Sequence, residues 1–267
     1  MLFCNENTLV VSNSKNHTMK KNNLIILLVF LTLSTFGQNK SIDTLSNNKN
    51  LKFKYEALII PTALIGYGVL SLESNTLKAI NSDTKAEINE HLDEKISIDD
   101  FSQYSSFASV YVLNAAGIKG KNNFKDRTII LGSACLIMGA TVNIIKGSGN
   151  ELRPDGTSNN SFPSGHTATA FMGAEFLYQE YKDVSIWYGI SGYVVAAGTG
   201  FFRMYNDRHW FSDVAAGAGI GILSTKIAYW IHPLLKNTIF KNKENINGMI
   251  MPIYNGKQYG LGISMVF

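Results

Sequence analysis

Three short clusters of polar and charged residues interrupt otherwise apolar stretches, and their side chains are of the kinds that hold and move a phosphoryl group. The first, KGSGNELRP, carries Lys146 and Arg153 ahead of Pro154. The second, PSGH, runs from Pro163 through Ser164 and Gly165 to His166. The third, RMYNDRHWFSDV, places Arg203 six residues before His209 and Asp213 four residues after it.

Each spacing suggests a role. If the third cluster opens a helix, His209 and Asp213 share a face. The carboxylate can then accept one ring N–H, fix the tautomer and leave the other nitrogen free to attack phosphorus. Pro163 suits a helix start, and Ser164 and Gly165 offer N–H groups without bulk, which is how helix starts receive anions. Ser164 adds a hydroxyl donor, Gly165 lets a ligand approach the backbone, and His166 in the first turn is a candidate general acid. Lys146 and Arg153 alone would read as cations snorkelling at an interface. A lone histidine at a helix start, or a single His–Asp pair, would read as structural.

The clusters together supply three permanent cations, an anion-binding helix start, two histidines and one orienting carboxylate. A phosphoryl group in flight keeps its charge on non-bridging oxygens, so its transfer depends chiefly on positioning and electrostatic stabilisation. Lys146, Arg153 and Arg203 can supply that stabilisation without a metal. A metal centre needs clustered ligands, and only His166, His209 and Asp213 are near candidates, amid positive charge. The expectation is therefore no metal and no cofactor.

In order and spacing, K-x6-RP, PSGH and R-x5-H-x3-D resemble the three-part signature of the type 2 phosphatidic acid phosphatase (PAP2) superfamily. The signature spans residues 146–213, and the resemblance covers most of the chain after residue 50. It implies a two-step reaction in which His209 attacks phosphorus, His166 protonates the leaving oxygen, and water hydrolyses the phosphohistidine. Asp213 would orient His209, while Lys146, Arg153, Ser164, Gly165 and Arg203 would hold the phosphate oxygens. One departure is Phe202, where the family usually has serine, so that a phosphate or helix-cap contact is expected to be missing. The superfamily also includes soluble bacterial acid phosphatases and vanadium haloperoxidases, and a catalytically silent lipid-binding member is a further reading. Fold and motif do not separate these.

Helices must position these residues. Apolar runs recur at Ala57–Leu72, Phe101–Gly117, Arg127–Ile145, His166–Tyr178, Ile186–Phe202 and Val214–Trp230, and their lengths suit helices better than strands. Glycine and alanine in GSACLIMGA, GYVVAAGTG and VAAGAGIGI allow close helix approach. The predicted fold is all-α, a bundle of about six apolar helices embedded in a membrane, over residues 51–233. Residues 76–100 are acidic and polar and are expected to face solvent as a helix with one weakly apolar face. In the tail, residues 234–267, the alternation of Leu261, Ile263, Met265 and Phe267 predicts a short strand. Residues 1–37 read as an upstream extension followed by a signal peptide or signal anchor, with Met19 the expected start.

Charged residues make up 16% of the chain and hydrophobic ones 45%, a balance that leans toward a membrane. A net charge of +4 with scattered lysines lacks the basic stripe that nucleic acid requires. Against six full spans stands a mean hydropathy of only +0.02. Lys119, Lys121, Lys125 and Arg127 place the connection GIKGKNNFKDR in the cytoplasm by the positive-inside rule. All three motifs then face outward, in an inner membrane with a periplasm-facing site. A cleaved signal peptide conflicts with this parity, because it leaves the new N-terminus outside. Either the first apolar run does not cross, or the signal is not cleaved, or the bundle is periplasmic and only dips into lipid. The expected partner is a phosphorylated lipid, with lipid A, phosphatidate, phosphatidylglycerophosphate and undecaprenyl pyrophosphate as candidates. The alternative is a soluble periplasmic acid phosphatase.

Overall fold

The computed structural model of the chain describes residues 55–90, 97–240, 247–254 and 259–266. The signal segment and Met19 lie outside the described residues. Seven helices follow in order: α1 (Glu56–Ser71), α2 (Asn75–Asn89), α3 (Asp99–Ala115), α4 (Phe124–Ser148), α5 (Gly165–Tyr181), α6 (Ile186–Tyr205) and α7 (Phe211–Phe240). Side-chain caps set four of the starts. Ser74, Asn123, Ser164 and Ser185 each accept a backbone N–H from the first turn of α2, α4, α5 and α6, satisfying donors that a helix start leaves orphaned.

The six apolar runs coincide with six of these helices, and the all-α expectation holds for residues 55–240. The seventh helix, α2, lies in the segment expected to be polar. Helix α5 is the hub, packed against α3, α4, α6 and α7, while α1 packs on α7. Its buried residues, among them Ala168, Met172, Ala174 and Phe176, spread around the helix, as they must in a helix surrounded by others. The α5–α7 seam is tight because glycines line it. A Cβ at Gly217 would lie 2.5 Å from the Ser164 carbonyl oxygen, and one at Gly221 would lie 2.2 Å from that of Ala168.

Two helices, α4 and α7, are long and apolar enough to cross a membrane. Helices α1 and α2 meet at a 98° bend and would make a third span if taken as one unit. Large apolar side chains stand exposed around the bundle, including Leu136 on α4, Val112 on α3 and Trp187 and Val194 on α6.

At the end of α5 remote from His166, Glu180 is buried and stitches the α3–α4 connection. Its carboxylate accepts from the Asn122 backbone N–H at 3.0 Å, the Asn122 amide at 2.6 Å and the Tyr229 hydroxyl at 2.6 Å. Arg127 belongs to the same group, 3.9 Å from Glu180. Counted above among the loop cations, Arg127 is in fact buried, because Glu180 offsets the charge that topology rules treat as solvated.

The C-terminal segment forms a hairpin in which β1 (Asn247–Tyr254) pairs antiparallel with β2 (Tyr259–Val266). Its register runs from Asn247 opposite Val266 to Tyr254 opposite Tyr259. The alternating residues from Leu261 to Met265 fall in β2; the partner strand NGMIMPIY was not anticipated from its sequence.

Candidate active site

The third cluster is built where α6 ends and α7 begins. Arg203 sits in the last turn of α6 and Asp213 in the first turn of α7, with His209 in the short connection between them. His209 is 3% exposed and Asp213 fully buried. Asp213 Oδ2 lies 3.5 Å from His209 Nδ1, a close electrostatic approach that stops short of a hydrogen bond. The same oxygen accepts the Ser161 hydroxyl at 2.5 Å and the Trp210 backbone N–H at 2.9 Å. Burial pushes the His209 imidazole down to about 4. The nearby Asp213 carboxylate acts against this, and the Lys146 and Arg203 charges reinforce it. The ring is therefore neutral at neutral pH, the state a nitrogen nucleophile requires.

Ser164 connects the second cluster to the third. Its backbone N–H donates to the Asp213 carbonyl at 3.0 Å, which ties the start of α5 to the start of α7. Ser164 is the N-cap of α5, and its hydroxyl oxygen accepts from Thr167 N–H at 3.4 Å and pairs with the Thr167 hydroxyl at 2.8 Å. The side chain offered above as a phosphate donor is thus engaged in capping and fully buried. Pro163 stands one residue before the cap, and Gly165 is the first helical residue. A Cβ at Gly165 would meet only Val142, at an ordinary 3.8 Å.

Lys146 closes α4 and reaches across to the loop, donating to the Asn160 carbonyl at 2.5 Å and approaching that of Ser161 at 3.4 Å. Through Ser161 it joins the group around Asp213. Arg153, His166 and Arg203 line a common cavity of about 200 Å³ together with Ser97, Asp99, Asp100, Asn206 and Arg208. Burial and then the nearby Arg203 charge hold the Arg153 guanidinium below its usual range, as expected where cations crowd. The structure thus gathers the predicted residues into two linked groups: Arg153, His166 and Arg203 around the cavity, and Lys146, Ser164, His209 and Asp213 in the hydrogen-bonded framework beside it. Phe202 packs instead into an aromatic cluster, with ring centroids 5.8 Å from Phe201 and 6.0 Å from Tyr205.

Two features of the site escaped the sequence. Asp99 and Asp100 open α3 inside the cavity lining. Arg203 donates to Asp99 at 2.5 Å, Asn206 donates to the other Asp99 oxygen at 3.1 Å, and His166 Nε2 lies 3.0 Å from Asp100. The other feature is α2, which grips the site loops from outside. Asn81 donates to the Ser212 hydroxyl at 2.9 Å and accepts the Ser212 backbone N–H at 3.1 Å. Lys85 donates to the Pro154 carbonyl at 2.8 Å, pairs with Asp207 at 3.6 Å and lies 5.7 Å from the Trp210 ring. The only sequence signal was a polar helix carrying an aspartate pair just beyond it. Among the described residues, no three His, Cys, Asp or Glu side chains are grouped to hold a metal ion.

A helical bundle with two histidines and a guanidinium-lined cavity at one end is the architecture the three-part signature implies. Residues 127–236 match the PAP2 superfamily. It is 39% identical over 173 residues to a lipid A 1-phosphatase of Porphyromonas gingivalis, a match covering 61% of this chain and 38% of that relative. It is 32% identical over 98 residues to the bacitracin transport permease protein BcrC of Bacillus licheniformis, covering 36% of this chain and 46% of the relative. The chain spans less than half the length of these curated relatives. Among solved structures it is similar to LpxE of Aquifex aeolicus, with a TM-score of 0.44 and 24% identity over 56% of this chain and 94% of that one. With two apolar helices of spanning length, the chain is a membrane protein.

Proposed function

We propose that the chain is a metal-independent phosphatase of the cell envelope that removes phosphate from a lipid-linked phosphomonoester or pyrophosphate. One observation carries this reading: a neutral, buried His209 is set against Asp213 at the start of α7, beside a cavity lined by Arg153, His166 and Arg203. Nε2 of His209 attacks phosphorus, forming a phosphohistidine whose imidazolium charge faces Asp213. His166 gives a proton to the leaving oxygen and then takes one from the water that hydrolyses the phosphoenzyme. Arg153 and Arg203 hold the non-bridging oxygens. Lys146 and the Gly165 N–H support them from the α4 end and the α5 start. Ser164 contributes by fixing the geometry of that helix start.

Lipid A is the favoured substrate among the candidates, because a relative of that activity is 39% identical over the matched segment. The site is assigned to the periplasmic face, on the ground that Lys119, Lys121 and Lys125 lie in the connection between α3 and α4, at the other end of the bundle. The deciding experiment is turnover of a phosphorylated lipid in detergent micelles with EDTA present, for wild type and His209→Ala. The reading expects wild-type turnover and none for the variant. Loss of wild-type turnover on adding EDTA would sink the metal-independent mechanism.

A further inference from the structure

The two histidines of the site each meet a carboxylate, but through opposite ring nitrogens. His209 faces Asp213 with Nδ1 at 3.5 Å, whereas His166 faces Asp100 with Nε2 at 3.0 Å. Asp100 comes from α3, which contains no part of the three-part signature. Its neighbour Asp99 does different work. Asp99 is 1% exposed and holds Arg203 and Asn206, while the Asp100 side chain is 55% exposed and opens to the cavity. Consecutive helical residues point about 100° apart, which allows this division. The backbone of Asp100 is fixed as well, since Gln103 donates to its carbonyl at 2.9 Å.

Resting on the phosphatase reading above, we propose that Asp100 is a positioning residue for His166: it accepts a hydrogen bond from Nε2–H, fixes the tautomer, and presents Nδ1 as the atom that delivers a proton to the leaving oxygen. The charges around His166 make such a partner necessary. Arg153 from the α4–α5 connection, Arg203 from α6 and Arg208 from the α6–α7 connection line the same cavity, and burial together with the Arg203 charge disfavours a proton on the imidazole. The carboxylates of Asp99 and Asp100 face it from α3. Asp99 is already engaged by Arg203, and Asp100 also lies 3.6 Å from that guanidinium. Asp100 is the carboxylate in contact with the ring. As the bond from His209 Nε2 to phosphorus forms, the ester P–O bond breaks and its oxygen takes the Nδ1 proton. Neutral His166 then accepts a proton on Nδ1 from attacking water as the N–P bond breaks, and the other proton stays on Nε2, hydrogen-bonded to Asp100, throughout.

The test compares wild type, Asp100→Asn and Asp100→Glu on two esters in micelles. One is 4-nitrophenyl phosphate, whose leaving group departs without a proton; the other is a dialkyl glycerol phosphate, whose leaving group needs one. For Asp100→Asn the expected result is a loss in kcat/KM, which reports phosphoenzyme formation, of about 10²-fold on the alkyl ester, in the range of general acid catalysis, with the aryl ester changed only slightly. The high-pH limb of the alkyl-ester kcat/KM profile, where the acid loses its proton, should move to lower pH. Asp100→Glu should recover most of the alkyl-ester activity. Equal losses on both esters, or an unmoved limb, would overturn the proposal while leaving the phosphatase reading intact. Tighter inhibition by inorganic phosphate with unchanged leaving-group dependence would overturn it too, since Asp100 would then be only a competitor for the cations. Absence of wild-type turnover of both esters would bring down the phosphatase reading and this proposal together.

Discussion

Asp213 Oδ2 lies 3.5 Å from His209 Nδ1 and is itself held by Ser161 and the Trp210 N–H. The carboxylate is therefore fixed by the framework before it meets the ring, and the ring's orientation follows from it.

Replacing Asp213 by asparagine tests that dependence while preserving shape. An amide can present either an oxygen or an NH2 to Nδ1, and it carries no charge to balance a phosphohistidine. The expected outcome is a kcat about 10²- to 10⁴-fold lower, by analogy with the orienting carboxylate of hydrolytic triads. Helix content by circular dichroism should stay unchanged, and rapid-quench trapping of phosphoenzyme should show slower formation.

The buried neutral His209 sets an acid limit on stability. Its folded-state value of about 4 lies below the ordinary 6.5 of a histidine. Between these two values the unfolded chain binds more protons than the folded one. The contribution of neutral His209 is thus intact above about pH 6.5 and is lost as pH falls toward 4. Melting temperatures in detergent should fall over that window for wild type and less steeply for His209→Gln. A parallel slope in the two proteins would show that His209 is not buried in its neutral form.

Helix α2 should matter to both stability and rate although it carries no signature residue. Asn81→Ala removes both bonds to Ser212 and leaves a buried N–H and hydroxyl without their partner, a loss of about 1–3 kcal/mol. Because Ser212 adjoins Asp213, kcat should fall as well. Lys85→Ala removes a partly exposed pair with Asp207, worth at most about 1 kcal/mol. Thermal melts and kcat of the two variants separate the contributions.

Relationships that are local along the chain were legible in the sequence. His209 and Asp213 are four residues apart, PSGH lies at a helix start, and each apolar run became a helix because its length and composition leave few alternatives. Contacts that join distant segments were not legible there. Asp99 meets Arg203 across 104 residues and Asn81 meets Ser212 across 131, and no spacing rule relates such positions. Arg127 was counted as a loop charge for the same reason, since its partner Glu180 lies on another helix. Ser164 was visible as a helix-start residue, but whether its hydroxyl would cap the helix or face the cavity depended on a side-chain direction that only the structure shows.

Glycines in the α5–α7 seam offer the last test, because they tie packing to the site. A Cβ at Gly217 would lie 2.5 Å from the Ser164 carbonyl oxygen and 3.3 Å from Thr167 Cβ. Gly217 sits one turn beyond Asp213, and Ser164 lies two residues before His166. Alanine there must separate the starts of α5 and α7, which the hydrogen bond from Ser164 N–H to the Asp213 carbonyl joins. A Cβ at Gly221, one turn deeper, would lie 2.2 Å from the Ala168 carbonyl oxygen and 2.8 Å from Met172 N. Both Gly217→Ala and Gly221→Ala should lose stability, by about 1–3 kcal/mol as overpacked seams do. Gly217→Ala should also lose up to about 10²-fold in kcat, because displacing a reacting group by about 1 Å can cost that much. Gly132→Ala on α4 is the control: nothing lies within 4 Å of its Cβ, and replacing a mid-helix glycine should add up to about 1 kcal/mol of stability. Thermal melts and kcat for the three variants decide the matter; a Gly217→Ala protein as stable and active as wild type would show that the seam does not set the site.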